Sequence, residues 1–165
     1  MSRIIIFLGV LVATLLAVQT ALGADKLSGT WKISLAQSKY NPANLAPQNG
    51  TTKFEPIAGG VKVSLDGVDS QGRKTHKEYT VKFDGKNVPV KATVDGMPSP
   101  DQDGTSWKKI DDYNYEVTAT LRGKTTTINR IVIAKDGKSR MNTETGKNAQ
   151  GTIVNNTVVY EKQHE

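Results

Sequence analysis

Cysteine is absent from the 165 residues of this chain, which excludes a disulfide framework and a thiol for lipid attachment at a new N-terminus. Histidine is scarce, since the chain has only His76, on the polar face of an alternating stretch, and His164, beside the C-terminal residue. A G-x-S-x-G motif is missing as well. Because no Ser-His-Asp or cysteine-based arrangement can be proposed, we expect a protein that is not an enzyme and needs no cofactor or metal.

A pair of inward-facing carboxylates is the remaining route to acid–base catalysis. The nearest candidates in the chain are Asp111-Asp112 and Asp101-x-Asp103. Adjacent residues in a strand face opposite ways, and Asp111-Asp112 falls where a turn is expected. A role in turns is therefore the favoured interpretation of these acids.

Long apolar runs are limited to one, at residues 4–18, where Thr14 is the only polar interruption. Arg3 precedes the run, and the small residues Ala21 and Gly23 flank Leu22. This pattern predicts a secretory signal peptide over residues 1–23, cleaved before Ala24. An uncleaved membrane anchor is the alternative, but the run is shorter than the roughly 20 apolar residues of a spanning helix. We expect a secreted or periplasmic protein with no transmembrane segment after cleavage.

Residues 24–165 have the length of one common globular domain. The chain carries a formal net charge of +6, yet its lysines are dispersed and mostly alternate with apolar positions. A binder of single-stranded nucleic acid would gather its charge in a groove with exposed stacking aromatics. The dispersed lysines indicate a solubilising outer face that discourages edge pairing, and we expect no nucleic-acid partner.

Helical periodicity is missing after residue 23, whereas a two-residue alternation of apolar and polar side chains recurs throughout. In the first such run Trp31, Ile33 and Leu35 share one face, opposite Lys32 and Ser34. The alternation predicts about ten strands of ordinary length. They lie at residues 27–35, 51–56, 61–66, 73–83, 88–94, 105–110, 113–121, 125–134, 139–145 and 152–161.

Glycine, asparagine and aspartate occupy most of the short gaps between these runs, as tight turns with positive φ require. Short turns make successive strands neighbours, and parallel pairing would need crossover helices. The sequence therefore predicts an all-β fold, an antiparallel up-and-down β-barrel of about 8–10 strands. Two connections are long, at residues 36–49 and 95–104, and they are either lids or binding loops at a barrel mouth or disordered segments.

The first and last predicted strands carry a resemblance to a known group. Leu27-Ser28-Gly29-Thr30-Trp31-Lys32 and Val158-Val159-Tyr160-Glu161-Lys162 resemble the terminal strands of the calycins, the lipocalins and fatty-acid-binding proteins. The whole mature chain is similar to small secreted bacterial proteins described as lipocalin-like. The resemblance implies that Gly29 and Trp31 plug one barrel end. Fatty-acid-binding proteins also carry an Arg-x-Tyr that holds a ligand carboxylate, and here Tyr160 matches while Val158 stands at the arginine position.

Arg130 is a candidate replacement for that missing arginine. In its predicted strand Ile131 and Ile133 occupy one face and Arg130 the other, so the inward face is ambiguous. An inward Arg130 would be a buried cation that needs an anionic partner such as a ligand carboxylate or phosphate. An outward Arg130 would be solvated, and this second orientation is the favoured one.

The candidate ligand-binding set consists of the aromatic side chains on the faces assigned inward and of Arg130, which would join them in its inward orientation. They are Trp31, Phe54, Tyr79, Phe83, Trp107, Tyr115, Arg130 and Tyr160. Rings of this size either line a pocket or fill it. The leading hypothesis is a secreted or periplasmic protein that binds a small apolar or amphipathic ligand inside the barrel. The alternative is a solid barrel that acts through its surface as an envelope component or an inhibitor of a secreted hydrolase, and the interior volume distinguishes the two.

Overall fold

The computed structural model of the protein describes residues 25–164. The predicted signal peptide and its cleavage point before Ala24 lie outside the described residues. No helix within residues 25–164 is long and apolar enough to cross a lipid bilayer.

Twelve strands and one short 3₁₀ helix make up the described chain. The helix spans Ala43–Leu45. The strands are β1 (Gly29–Lys39), β2 (Asn49–Ile57), β3 (Gly60–Val68), β4 (Lys74–Lys82), β5 (Val88–Pro89), β6 (Lys91–Val94), β7 (Met97–Pro98), β8 (Gly104–Lys109), β9 (Asn114–Leu121), β10 (Lys124–Ile133), β11 (Ser139–Lys147) and β12 (Ile153–Lys162). The predicted all-β class is confirmed.

All strand pairs are antiparallel and belong to one sheet, in the order β5-β8-β9-β10-β11-β12-β1-β2-β3-β4-β6-β7. Chain neighbours pair through most of this order, and β12 returns to pair with β1. Tight turns set the hairpins: Arg122 and Gly123, both at positive φ, connect the paired residues Leu121 and Lys124. Two residues at positive φ match the twist that favours two-residue hairpins, which confirms the predicted meander.

The segment at residues 88–94, predicted as one strand, is divided between two neighbours. β5 pairs with β8, whereas β6 pairs with β4. Between them the Val90 N–H donates to the Asp103 carbonyl at 2.9 Å. An isolated antiparallel bridge joins Asp84 to Lys108 nearby. This segment therefore links the two sides of the curled sheet and gives it the form of an up-and-down barrel.

Apolar side chains fill one part of the barrel interior. The buried cluster comprises Leu27, Trp31, Phe54, Val61, Val63, Val81, Trp107, Tyr115, Val117, Ile131 and Ile133. Trp31 is fully buried, and its indole N–H donates to the Leu27 carbonyl at 2.8 Å. The inward assignment of Trp31 on the first strand is confirmed. Because burying a large apolar side chain contributes about 1.5–3 kcal/mol, this cluster supplies much of the stability of the fold.

A polar contact network closes the filled part of the barrel. Asp25 accepts hydrogen bonds from the Tyr115 hydroxyl and from the Leu27 N–H. Lys109 Nζ lies 3.1 Å from the same carboxylate. These bonds join the start of the described chain to β8 and β9, so the segment before β1 covers the aromatic core at this end.

Candidate functional site

The barrel interior contains a cavity of about 430 Å³ that is partly open to solvent. Small-molecule sites occupy about 300–1,000 Å³, so the cavity has room for one small ligand. Its wall is formed by inward side chains of β1–β4 and β8–β12 and by the two long connections. The interior is therefore only partly filled by side chains, which separates this protein from a solid barrel.

Aromatic rings form the apolar part of the wall. The Trp107 ring centroid lies 5.9 Å from that of Phe54, in an edge-on arrangement, and 6.5 Å from that of Tyr79. Both separations fall within the range of favourable aromatic pairs. Phe83 and Tyr115 pack behind Trp107, at 6.3 and 6.4 Å. The tryptophan is 2% exposed and is thus fixed between the cavity and the core. We call Phe54, Tyr79, Trp107 and Tyr160 the aromatic floor.

Arg140 on β11 lies in this apolar surrounding although it carries a guanidinium. It is 2% exposed, and the centre of the guanidinium is 3.7 Å from the centroid of the Tyr160 ring and 5.1 Å from that of Phe54. Its Nη1 donates to Asn142 Oδ1 at 2.6 Å. Its Nε has no hydrogen-bond partner within the described chain. Stacking on rings at this distance is a cation–π contact.

No carboxylate of residues 25–164 lies within ion-pair distance of Arg140. Burial lowers the pKa of Arg140 from 12.5 to about 10, so the side chain remains charged at neutral pH. The Trp107 indole N–H is a second buried donor without a partner in the described residues. The cavity wall thus offers a fixed positive charge and two buried donors without acceptors.

Lys77 and Glu144 add charges to the cavity wall on β4 and β11. Lys77 Nζ donates to Gln102 Oε1 at 2.9 Å. Burial lowers the pKa of Lys77, and the charges of Glu144 and Asp101 oppose this effect in part. Glu144 Oε2 accepts a hydrogen bond from Asn156 Nδ2 at 2.9 Å. Neither charge has an ion-pair partner within 4.0 Å in the part of the chain that the structure describes.

Amide and hydroxyl side chains make up most of the remaining polar wall. They are Asn49, Thr52, Thr75, Gln102, Thr105, Thr127, Asn129, Asn142, Asn148 and Asn156. Within residues 25–164 no group of three or more histidine, aspartate or glutamate side chains could hold a metal ion. The wall therefore combines an aromatic floor with hydrogen-bonding groups that suit an organic molecule with polar substituents.

Both long connections contribute to the cavity wall. The first brings Tyr40, Leu45 and Pro47, and the second brings Gln102. Next to Gln102, the carboxylate of Asp101 accepts a hydrogen bond from Gln150 Nε2 at 2.7 Å. This bond ties the second connection to the hairpin between β11 and β12. The position of both connections at the cavity wall favours their interpretation as binding loops.

The structure divides the sequence-predicted residues into cavity-lining residues, core residues and Arg130, which lies on the outer face. Phe54, Tyr79, Trp107 and Tyr160 line the cavity. Trp31, Phe83 and Tyr115 belong to the packed core and are not among the lining residues. That any of these residues binds a ligand stays a prediction.

Arg130 lies on the outer face, which corrects its inclusion among the interior residues. Its side chain is 75% exposed and lies 3.7 Å from the carboxylate of Glu116. Ile131 and Ile133 are each 2% exposed and face inward. Since residues of one strand alternate between faces, the favoured outward orientation of Arg130 is the one observed.

Arg140, Lys77 and Glu144 are the site residues that the sequence reasoning missed. In β11 the polar residues Arg140, Asn142 and Glu144 face inward, so the strand shows no apolar inner face. Lys77 lies two residues before Tyr79 on β4 and therefore shares its inward face. Its position could therefore have been deduced by counting back two residues.

Comparisons with known proteins give structural likenesses only. No protein-family model matches the chain, and no curated protein matches it. Among solved structures, one redesigned β-barrel is 16% identical, with a TM-score of 0.45, and the match covers 84% of this chain and 93% of that one. A second redesigned β-barrel, mFAP1 bound to DFHBI, is 14% identical, with a TM-score of 0.41, and the match covers 83% of this chain and 95% of that one.

Proposed function

We propose that the barrel interior binds one small amphipathic organic anion, with its acidic group at Arg140 and its apolar body against the aromatic floor. The observation that carries the proposal is a cavity of about 430 Å³ whose wall holds a buried arginine without a counter-ion. Binding, rather than catalysis, is the function that this arrangement supports best.

The energetic argument starts from the cost of burying a charge. A buried ion is normally paired with an opposite charge, because its lost hydration is otherwise not replaced. Around Arg140 lie the Asn142 amide, the rings of Phe54 and Trp31, and the ring and hydroxyl of Tyr160, none of which is an anion. A carboxylate, sulfonate or phosphate in the cavity would supply the missing charge and an acceptor for the orphaned Nε, and the guanidinium fork suits these groups.

The polar side chains of the cavity wall limit which chemical groups the rest of the ligand can have. A long hydrocarbon chain filling the cavity would remove water from the amide N–H groups of Asn129 and Asn142 without replacing their hydrogen bonds, which is costly. An aromatic or alicyclic body with a polar substituent would contact both the floor and these amides. We therefore propose a compact amphipathic acid rather than a fully apolar lipid.

Two fluorescent probes that differ by one acidic group test the proposal. 1-Anilinonaphthalene-8-sulfonate carries a sulfonate, and N-phenyl-1-naphthylamine has the same rings without it. We expect the sulfonate to bind saturably at one site and at least tenfold more tightly than the neutral probe, about 1.4 kcal/mol. In Arg140→Met the two probes should bind equally, because the preference depends on the buried charge.

Arg130→Met is the matched control, since it removes one positive charge from the outer face and leaves the interior intact. It should retain the wild-type preference for the sulfonate. Equal losses in the two variants would mean that net charge alone attracts the probe. Absence of saturable sulfonate binding up to about 100 µM would refute the interior anion site, because affinity at that level is only about 5–6 kcal/mol.

We also propose that the protein works outside the cytoplasm, as a secreted or periplasmic binder. The support for this is the charged start, the apolar run of residues 4–18 and the small residues before Ala24. Native mass spectrometry of protein purified from that compartment would reveal a tightly held ligand as additional mass.

A further inference from the structure

We propose that Lys77 forms a reversible imine with an aldehyde-bearing ligand held in the cavity, an inference that rests on the proposed interior ligand site. The lysine amine adds to the carbonyl carbon, a C–N bond forms, and the carbonyl oxygen leaves as water with both amine hydrogens. The product is a C=N bond between the lysine and the ligand. No oxidant or reductant is consumed, and hydrolysis reverses the step.

The position of Lys77 is the first argument. It is the only lysine among the residues of the described chain that line the cavity. On β4 it precedes the floor residue Tyr79 by two positions, so both side chains face inward. Its Nζ donates to the Gln102 amide at 2.9 Å. This contact holds the amine at the cavity wall without stabilising its protonated form as an ion pair would.

The ionisation of Lys77 supports the same role. Only the neutral amine is nucleophilic, and desolvation of a lysine in a pocket increases the neutral fraction. Burial lowers the pKa of Lys77, although the charges of Glu144 and Asp101 oppose the change. Exposed lysines such as Lys82 on the same strand remain hydrated, so we expect Lys77 to react at lower pH than they do.

The surrounding wall suits a carbonyl compound. The aromatic floor can hold a flat apolar body. Thr75, two residues before Lys77 on β4, also lines the cavity and offers a hydroxyl group. A partly enclosed cavity also limits the access of bulk water, which slows hydrolysis of an imine. These features favour aromatic aldehydes over small hydrated ones.

Reductive trapping tests the inference. The full mature protein is incubated with benzaldehyde at pH 6–7 in the presence of sodium cyanoborohydride, which reduces an imine to a stable secondary amine. Peptide mapping by mass spectrometry then locates the added benzyl group. We expect labelling of Lys77 to exceed that of any outer lysine at least tenfold, and the excess to grow as the pH is lowered.

Two variants test whether the labelling is specific to Lys77. Lys77→Arg keeps the positive charge but should lose the preferential labelling, whereas Lys82→Met removes an outer lysine and should leave labelling of Lys77 unchanged. Labelling spread evenly over the lysines, or a Lys77 peptide without label, would overturn the imine proposal. Because benzaldehyde carries no acid group, its trapping does not depend on Arg140. Sulfonate-probe binding without trapping would leave the anion site standing and remove the imine, and the reverse result would remove only the anion site.

Discussion

Replacing Arg140 by methionine should leave the folded protein about as stable as the wild type. The lowered pKa of Arg140, about 10 instead of 12.5, corresponds to about 3 kcal/mol that disfavours the charged side chain in the fold. The stack on Tyr160 returns about 2 kcal/mol, the value for a desolvated cation–π contact. Methionine removes both contributions and places an unbranched apolar side chain against the same rings. We therefore expect a free energy of unfolding within about 1–2 kcal/mol of wild type.

Urea denaturation followed by tryptophan fluorescence measures this difference. A structural arginine would behave otherwise, because truncation of a well-packed buried side chain costs about 2–5 kcal/mol. A loss of more than about 3 kcal/mol in Arg140→Met, with Arg130→Met within about 0.5 kcal/mol of wild type, would refute the reasoning. In wild type the sulfonate probe at a hundred times its Kd should add about 2.7 kcal/mol, and in Arg140→Met the same probe concentration should add much less.

Three further predictions concern the rest of the chain. Trp31→Ala should cost about 3–5 kcal/mol in urea denaturation, because the ring is fully buried and bonded to Leu27; an unchanged midpoint would contradict its role in the core. Burial alone would raise the pKa of Asp25, but hydrogen bonds from Tyr115, the Leu27 N–H and Lys109 outweigh it and lower the pKa below 3.8. The Asp25 contribution to stability is therefore present above about pH 4 and lost as the pH falls further, so Asp25→Asn should unfold with a shallower dependence on acid than wild type. N-terminal sequencing of the secreted protein should begin at Ala24, and an intact Met1 would remove the signal-peptide prediction.

The fold was predictable because its strands have one apolar face and its turns have glycine or asparagine where the backbone needs them. The strand at residues 113–121 shows both features, and it appears as β9 with a turn at Arg122 and Gly123. The segment 88–94 was harder to divide, since alternation continues through Val90. Nothing in a two-residue period tells which of two neighbouring strands each half of a segment will pair with.

The candidate site was predicted only in its apolar half. Rings on inward faces gave Phe54, Tyr79, Trp107 and Tyr160, because large side chains mark the interior of a strand. Arg140 and Glu144 were missed since a strand that is polar on its inner face gives the same signal as one that is solvated. Their orientation follows from the pairing of Arg140 with Ile133 and of Asn142 with Ile131. Directly opposed residues lie on the same face of a sheet, so the register of β11 against β10 carries the information that composition lacks.

The barrel interior is divided into a packed part and a cavity. This division explains how the protein can contain buried charges that do not stabilise the fold. Trp31, Val81 and Tyr115 pack in the filled part with almost no exposed area, and the free energy of folding comes mainly from such contacts. Arg140 and Lys77 line the cavity instead. A native protein is stable by only about 5–15 kcal/mol. The cost of burying the Arg140 charge, about 3 kcal/mol and offset by about 2 kcal/mol from the Tyr160 stack, is tolerated because the packed cluster supplies the stability of the fold. Arg140→Met combined with Trp31→Ala tests this independence, since sites without shared contacts add, whereas contacting residues are coupled by about 0.5–3 kcal/mol. Independence of the two sites predicts that the double variant loses the sum of the two single losses to within about 0.5 kcal/mol. A larger departure would mean that the guanidinium, whose centre lies 5.5 Å from the Trp31 ring centroid, is part of the core packing rather than of the ligand site.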